Sequence, residues 1–183
     1  MRKDYDGTVS AICVDDERMG LAVKSLAIAP YVIDGSVQRV EYATDPLTGF
    51  KIAEKLPNLG VAVLDYNMPE FTGLQLFNAL RLSDPRIQGV IVTSNDDLGL
   101  KQEIERAGGM YLPKTAKPSE LIGMIGEAIQ AYHRAMEDDT AQLHYDTKYG
   151  PIVQALAEIR AENNRRLAQD GDLEEVVSEA NLS

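Results

Sequence analysis

The feature that most constrains the fold of this chain is a fivefold alternation of short apolar runs with segments of helical periodicity. The apolar runs are short and rich in β-branched residues, which is typical of strands. We predict strands at residues 9–14, 37–43, 60–66, 87–93 and 110–112. Helices are predicted at 18–29, from about residue 46 on, and at 73–82, 98–107 and 118–136. Pro30 is expected to end the first helix, because proline cannot continue a helical hydrogen-bond ladder.

The strands are apolar almost throughout, which indicates a parallel sheet covered by helices on both faces. Right-handed crossovers then produce a doubly wound α/β sandwich. In such a sheet, ligands bind beyond the carboxyl ends of the strands, at the point where the strand order reverses. Candidate functional residues should therefore lie directly after the strands.

Polar side chains do follow four of the five predicted strands. They are Asp15, Asp16 and Glu17 after the first strand, Asp65 after the third, Thr93 and Ser94 at the end of the fourth, and Lys114 after the fifth. Two aspartates about 4 Å apart repel by roughly 4 kcal/mol at an effective dielectric constant of 20. A divalent cation such as Mg²⁺ would compensate that repulsion and leave coordination sites for a phosphate. The cluster therefore indicates phosphoryl transfer, with Asp65 as the attacking carboxylate.

Each of these residues also has an ordinary structural interpretation. A single aspartate at a strand end is usually a helix cap or turn former, and a lysine there is usually just solvated. Thr93 alone would be a β-branched strand residue. It is their joint occurrence after four strands that favours a functional site.

The same positions resemble the sequence signatures of the response-regulator receiver domain. The matching segments are Val14-Asp15-Asp16-Glu17, Leu64 to Pro69 with Gly73, Val92-Thr93-Ser94, and Tyr111-Leu112-Pro113-Lys114. The resemblance covers about residues 8 to 134. It implies a flavodoxin-like five-stranded sheet of order 2-1-3-4-5 and a role in bacterial two-component signalling.

The resemblance also implies a role for each residue of the acidic cluster. Asp65 would be the phosphoacceptor, receiving phosphate from a sensor histidine kinase or a phosphotransfer protein. Asp16 would coordinate Mg²⁺ directly, Asp15 largely through water, and the backbone carbonyl of Asn67 would be a further ligand.

Three more residues would form the switch implied by the resemblance. Lys114 would pair with the phosphoryl oxygens, Thr93 would move toward the phosphate, and the ring of Tyr111 would rotate with it. The face formed by the fourth helix, fifth strand and fifth helix would then change for a protein target. The family often has a cis proline after its lysine, whereas Thr115 follows Lys114 here.

The charge of the chain restricts the partners that it is expected to bind, and its uneven distribution distinguishes two regions. The 183 residues carry a formal charge of −11, which disfavours binding to nucleic acid or anionic lipid. Residues 137–183 contain eleven Asp or Glu and four Lys or Arg, a balance of −7, which leaves −4 for residues 1–136. We therefore predict a receiver domain at 8–136 and an acidic helical extension of unknown role at 137–183. A single cysteine, and no apolar stretch long enough to span a membrane, suggest a cytoplasmic protein.

Two other functions stay open at the level of sequence. A phosphatase of the haloacid-dehalogenase type also forms an aspartyl-phosphate, but it needs a second aspartate where this chain has Asn67. The chain could also be an unphosphorylated scaffold with the same fold. Whether it forms a homodimer is not decided by the sequence.

Overall fold

A computed structural model describes residues 7–138, in which five strands alternate with five helices. The strands are β1 (Val9–Val14), β2 (Val37–Ala43), β3 (Leu59–Asp65), β4 (Gln88–Thr93) and β5 (Met110–Pro113). The helices are α1 (Arg18–Ile33), α2 (Pro46–Ala53), α3 (Gly73–Ser83), α4 (Leu98–Arg106) and α5 (Pro118–Glu137). The predicted extension at 137–183 lies outside the described residues except for its first two positions, so the domain boundary at residue 136 stays a prediction.

The five strands form one parallel sheet of order β2-β1-β3-β4-β5. This order confirms the predicted doubly wound, flavodoxin-like α/β fold. β1 and β3 lie at the centre and are buried over their whole length, because helices cover both faces of the sheet. Their near-continuous apolar sequences follow from that position.

Two apolar layers hold the sheet between its helices. One layer joins residues of the sheet to α1 and α5, and includes Ile28 and Tyr132, while the other includes Phe77 of α3 and Ile104 of α4. Within residues 7–138, no helix combines the length and apolar character that a membrane span requires.

The register of the central strands sets the position of the site. Val14 pairs with Leu64, so Asp15, which follows β1, and Asp65, the last residue of β3, lie at the same level of the sheet. On the other side of β3, Thr93 of β4 pairs with Pro113 of β5. Lys114 is the next residue after Pro113, so it also lies at this end of the sheet. The strand order reverses between β1 and β3, which is where the crevice of this fold opens.

The prediction that Pro30 ends the first helix is wrong, since α1 continues to Ile33 with Pro30 inside it. Proline removes one hydrogen bond, but the residues around it supply others. The Pro30 carbonyl accepts from the Asp34 N–H at 3.0 Å, and the Tyr31 hydroxyl donates to the Ile122 carbonyl of α5 at 2.7 Å. Tertiary anchoring of the last turn therefore outweighs the local preference.

Side chains cap the starts of α2, α3 and α4. The Asp45 carboxylate accepts from the Thr48 N–H at 2.8 Å at the start of α2. Thr72 and Gln75 form a reciprocal capping box at the start of α3. The second cap fixes the end of the loop that follows Asp65.

Candidate functional site

Asp65 is the last residue of β3, and its side chain is only 1% exposed. The Lys114 ammonium lies 2.9 Å from its Oδ1 atom, at the distance of an ion pair. Within residues 7–138, however, no donor meets Oδ1 with the angles of a hydrogen bond. Buried carboxylate oxygens are normally hydrogen-bonded, so this oxygen is available to a further cationic or donor group.

Asp15 and Asp16 bring two more carboxylates to the same point. One oxygen of each of the three aspartates lies within 4.8 Å of the others. Asp15 is buried and Asp16 is exposed, so the cluster has a closed inner side and an outer side open to water. The structure thus brings together the three side chains that were predicted to bind metal.

The inner side of the cluster contains a residue that the sequence did not single out. The Lys24 ammonium, on a side chain 2% exposed, forms an ion pair with the Asp15 Oδ2 atom. The Asp15 Oδ1 atom accepts from the Glu17 N–H at 2.9 Å. A Cβ at Gly20 would overlap the Asp15 carboxylate, so the missing side chain makes room for it. Both oxygens of Asp15 are therefore held by the start of α1.

The helical spacing of Lys24 accounts for its burial once the structure shows which face of α1 is buried. Lys24 lies three and four residues before Ala27 and Ile28, the two buried apolar residues of α1. A lysine at that spacing shares the face that packs on the sheet.

The electrostatics at Asp65 reflect its burial. Desolvation raises the pKa of the Asp65 carboxyl, with Lys114 acting against the shift and Asp15 adding to it. Desolvation alone would lower the pKa of Lys114, but Asp65, Asp15 and Glu17 together raise it. The neighbouring carboxylates thus favour the charged form of Lys114. Lys114 in turn offsets only part of the cost of burying the ionised Asp65 carboxylate.

Thr93, Tyr111 and Lys114 are joined through the loop after β4. The buried Thr93 hydroxyl accepts from the Asn95 N–H at 3.0 Å, and the Tyr111 hydroxyl donates to the Asn95 carbonyl, also at 3.0 Å. The Thr93 carbonyl accepts from the Lys114 N–H at 2.6 Å. Asn95, which was not predicted, therefore links the buried Thr93 to the half-buried Tyr111, the two candidate switch side chains.

The loop after Asp65 is folded tightly against the end of β3. The Gly73 N–H donates to the Tyr66 carbonyl at 3.0 Å, and a Cβ at Gly73 would overlap the Asp65 carbonyl oxygen. Asn67 is exposed in this loop, and its side-chain amide lies 3.5 Å from the Ser94 hydroxyl. Gly73 thus allows the chain to turn back close to the candidate nucleophile.

The Lys114–Thr115 peptide bond is trans, as are the other peptide bonds of the described residues. The chain therefore differs here from the cis proline that often follows the family lysine. The ion pair with Asp65 forms nevertheless.

The donor set fits Mg²⁺. Hard oxygen ligands converge from Asp15, Asp16 and Asp65, and the buried Asp65 Oδ1 has no hydrogen-bond partner among the described residues. Mg²⁺ prefers such carboxylates and keeps waters on its open side. The exposed Asp16 faces that open side.

Comparison with known families identifies the class of protein. The family model of the response regulator receiver domain matches residues 11–126. The chain belongs to this family, whose members are phospho-accepting regulators of two-component signalling and typically act as switches rather than enzymes.

Solved structures support the same fold at low sequence identity. A CheY-like receiver domain protein from Methanospirillum hungatei JF-1 is 21% identical with a TM-score of 0.60, covering 70% of this chain and 98% of that one. The receiver domain of an HD domain-containing protein from Pseudomonas fluorescens Pf-5 is 16% identical with a TM-score of 0.62, covering 73% and 95%. No curated protein matches the chain.

One similar structure bears on the expectation that the chain does not bind DNA. A DNA-binding response regulator of the LuxR family from Staphylococcus aureus is 23% identical with a TM-score of 0.54, covering 66% of this chain and 98% of that one. Receiver folds therefore occur in DNA-binding regulators, and the absence of DNA binding here stays a prediction from charge.

Proposed function

We propose that this chain is a cytoplasmic response regulator that accepts a phosphoryl group on Asp65 from a histidine kinase or phosphotransfer protein. Asp15, Asp16, Asp65 and the backbone carbonyl of Asn67 would hold Mg²⁺. The observation that carries the proposal is the buried Asp65 Oδ1, which lies 2.9 Å from the Lys114 ammonium and has no hydrogen-bond partner among residues 7–138.

The chain's own residues position the reaction. An oxygen of Asp65 attacks the phosphorus of a phosphohistidine, the phosphorus–nitrogen bond breaks, and the ring nitrogen leaves with the electron pair and takes up a proton. Lys114 neutralises a phosphoryl oxygen, and burial keeps competing water away from the Asp65 carboxylate. Bound Mg²⁺ would supply charge neutralisation of the other oxygens.

Phosphorylation would then reorganise the contacts around Asn95. It adds about −1.5 to −2 charges at Asp65, which attract the Thr93 hydroxyl. Moving that hydroxyl breaks its 3.0 Å hydrogen bond with the Asn95 N–H and shifts the carbonyl that holds Tyr111. Only Leu100 and Ile104 of α4 are buried, so this helix moves at low cost. A protein target would recognise the changed face of α4, β5 and α5.

The test is labelling of the full chain by acetyl phosphate or a phosphorylated kinase in the presence of Mg²⁺. We expect one phosphoryl group per chain, and none on the Asp65→Asn variant, because an amide oxygen is too weak a nucleophile. Asp96→Asn is the control, since it removes an exposed carboxylate from the loop after β4. Equal labelling of wild type and Asp65→Asn would contradict the proposal.

The same assay separates a switch from a phosphatase. A haloacid-dehalogenase-type enzyme needs a general acid two residues after its nucleophile, and the Asn67 amide there cannot supply a proton. We therefore expect one slow labelling event and no sustained release of p-nitrophenol from p-nitrophenyl phosphate. Sustained turnover that depends on Asp65 would favour the phosphatase instead.

A further inference from the structure

Lys24 gives the acidic site a buried positive charge of its own. Its side chain is 2% exposed and its ammonium is paired with Asp15, whose side chain is fully buried. Ala27 and Ile28 of the same helix face are buried with it. Lysine is almost never buried unless it is paired, so this position is specific to the contact with Asp15.

Asp15 and Asp65 differ in what the chain provides for them. Asp15 receives the Lys24 ammonium on Oδ2 and the Glu17 N–H on Oδ1. Asp65 has the Lys114 ammonium beside Oδ1 but no hydrogen bond to that atom from the described residues. The described residues therefore neutralise and hydrogen-bond the Asp15 carboxylate, whereas Asp65 Oδ1 has an ion pair but no hydrogen bond.

The charge balance shows the consequence for a cation. The three aspartates of the cluster carry three negative charges. Two positive charges lie beside them, those of Lys24 and Lys114. A divalent ion thus meets a site of net charge −1, whereas the same site without Lys24 would carry −2. The Lys24 charge also repels the incoming ion through a buried region that water screens poorly.

We propose that Lys24 is an internal counter-ion to Asp15 that lowers the affinity of the site for divalent cations. This inference rests on the metal site of the proposed function. It makes the buried lysine of α1 a positioning residue that sets how much Mg²⁺ is needed before the site is filled.

The experiment compares Mg²⁺ binding and thermal unfolding of the full chain with and without the Lys24 charge. Lys24→Met keeps the length of the side chain and removes its charge. We expect the Kd for Mg²⁺ by calorimetry to fall by at least about tenfold, as one unit charge at close range should cause. We also expect the variant to have a lower Tm in EDTA and to gain more Tm from Mg²⁺ than the wild type gains.

Matched variants separate charge from packing. Lys117→Met removes a lysine from the same cleft, which Asp15, Lys24 and Lys114 also line, and should leave the Kd within about twofold. Lys24→Arg keeps the charge and should retain the weaker, wild-type binding. If Lys24→Met does not fold in EDTA, Lys24→Gln offers a neutral side chain that can still donate to Asp15, with the same expected direction.

Unchanged or weaker Mg²⁺ binding by the neutral variants would overturn the inference, and so would an equal loss of Tm in EDTA and in Mg²⁺. These measurements need no phosphodonor. A wild type that fails to label, together with a tighter Lys24→Met site, would therefore contradict the phosphoacceptor role of Asp65 and support the role of Lys24.

Discussion

At the scale of single residues, the ionised Asp65 side chain is a source of instability in the metal-free protein. Its folded pKa is raised by desolvation, so the carboxyl favours folding when protonated. That contribution is fully present below the ordinary pKa of 3.8 and is lost as the pH rises through the folded pKa. At neutral pH, the wild type therefore carries a penalty that an uncharged side chain would not.

We predict that Asp65→Asn raises the Tm in EDTA at pH 7. Burying a carboxylate can cost more than a single ion pair returns, by about 1–3 kcal/mol. About 1 kcal/mol corresponds to about 2–4 °C in Tm for a chain of this size. Lys114 loses its partner in the variant, but its side chain is 31% exposed and water can solvate it. The Tm difference should shrink toward zero as the pH falls below about 4, which differential scanning calorimetry across pH would measure.

Asp45→Asn is a control for which we expect the Tm at pH 7 to change in the opposite direction. Hydrogen bonds from Thr48 lower the pKa of Asp45, so its charge stabilises the fold above its ordinary pKa. Asparagine keeps the cap but not the charge, so this variant should lose a little Tm at pH 7 and nothing at low pH. A Tm decrease for Asp65→Asn at pH 7 would mean that the ion pair with Lys114 outweighs the burial of the carboxylate.

The acidic cluster could be predicted residue by residue, but Lys24 could not. Asp15, Asp16 and Asp65 follow apolar strands, and parallel strand ends must meet at one edge of the sheet. Lys24 lies in a helix with apolar residues all around it, of which Met19 is 76% and Leu26 is 75% exposed. Sequence could not tell which side of that helix packs on the sheet, and a helical lysine is normally solvated.

At the scale of elements, the turn between β3 and α3 depends on Gly73. A Cβ there would overlap the Asp65 carbonyl oxygen, and that oxygen belongs to the strand end and cannot move freely. We predict that Gly73→Ala lowers stability by about 1–3 kcal/mol, as overpacking typically does. Because the clash falls on Asp65 itself, the rate of labelling by acetyl phosphate should drop as well.

Gly123→Ala is the matched control, since a Cβ at that position in α5 meets no atom within 4 Å. Alanine is favoured over glycine in a helix by about 1 kcal/mol, so the control should be as stable as the wild type or more so. Chemical denaturation gives both free energies of unfolding. A Gly73→Ala protein with wild-type stability and labelling would show that the loop does not constrain Asp65.

The strands were predicted from their apolar runs to within one residue at each end, as for β1 and β2. The failure at Pro30 has a definite origin. The proline weakens the helix locally, but the 2.7 Å hydrogen bond from Tyr31 to the Ile122 carbonyl of α5 secures the turn that follows. Such a contact spans 91 residues of sequence and leaves no trace in the local pattern.

At the scale of the whole molecule, the described residues contain the five-stranded sheet, its five helices and the acidic cluster. Among residues 7–138, the buried core extends as far as Met136, and the candidate site residues lie between Asp15 and Lys114. Residues 139–183 contain nine Asp or Glu and four Lys or Arg, so they carry −5 of the total −11. Removing them would leave a fragment of net charge −6.

We predict that a fragment of residues 1–138 folds cooperatively and is labelled by acetyl phosphate to the same stoichiometry as the full chain. The physical reason is that residues 7–138 alone supply the five-stranded sheet, two apolar layers that cover it and the acidic cluster. Calorimetry and labelling of both proteins, side by side in Mg²⁺, test this. An unfolded fragment, or one that labels only when a peptide of residues 139–183 is added back, would show that the acidic segment completes the domain, and the predicted boundary at residue 136 would then be wrong.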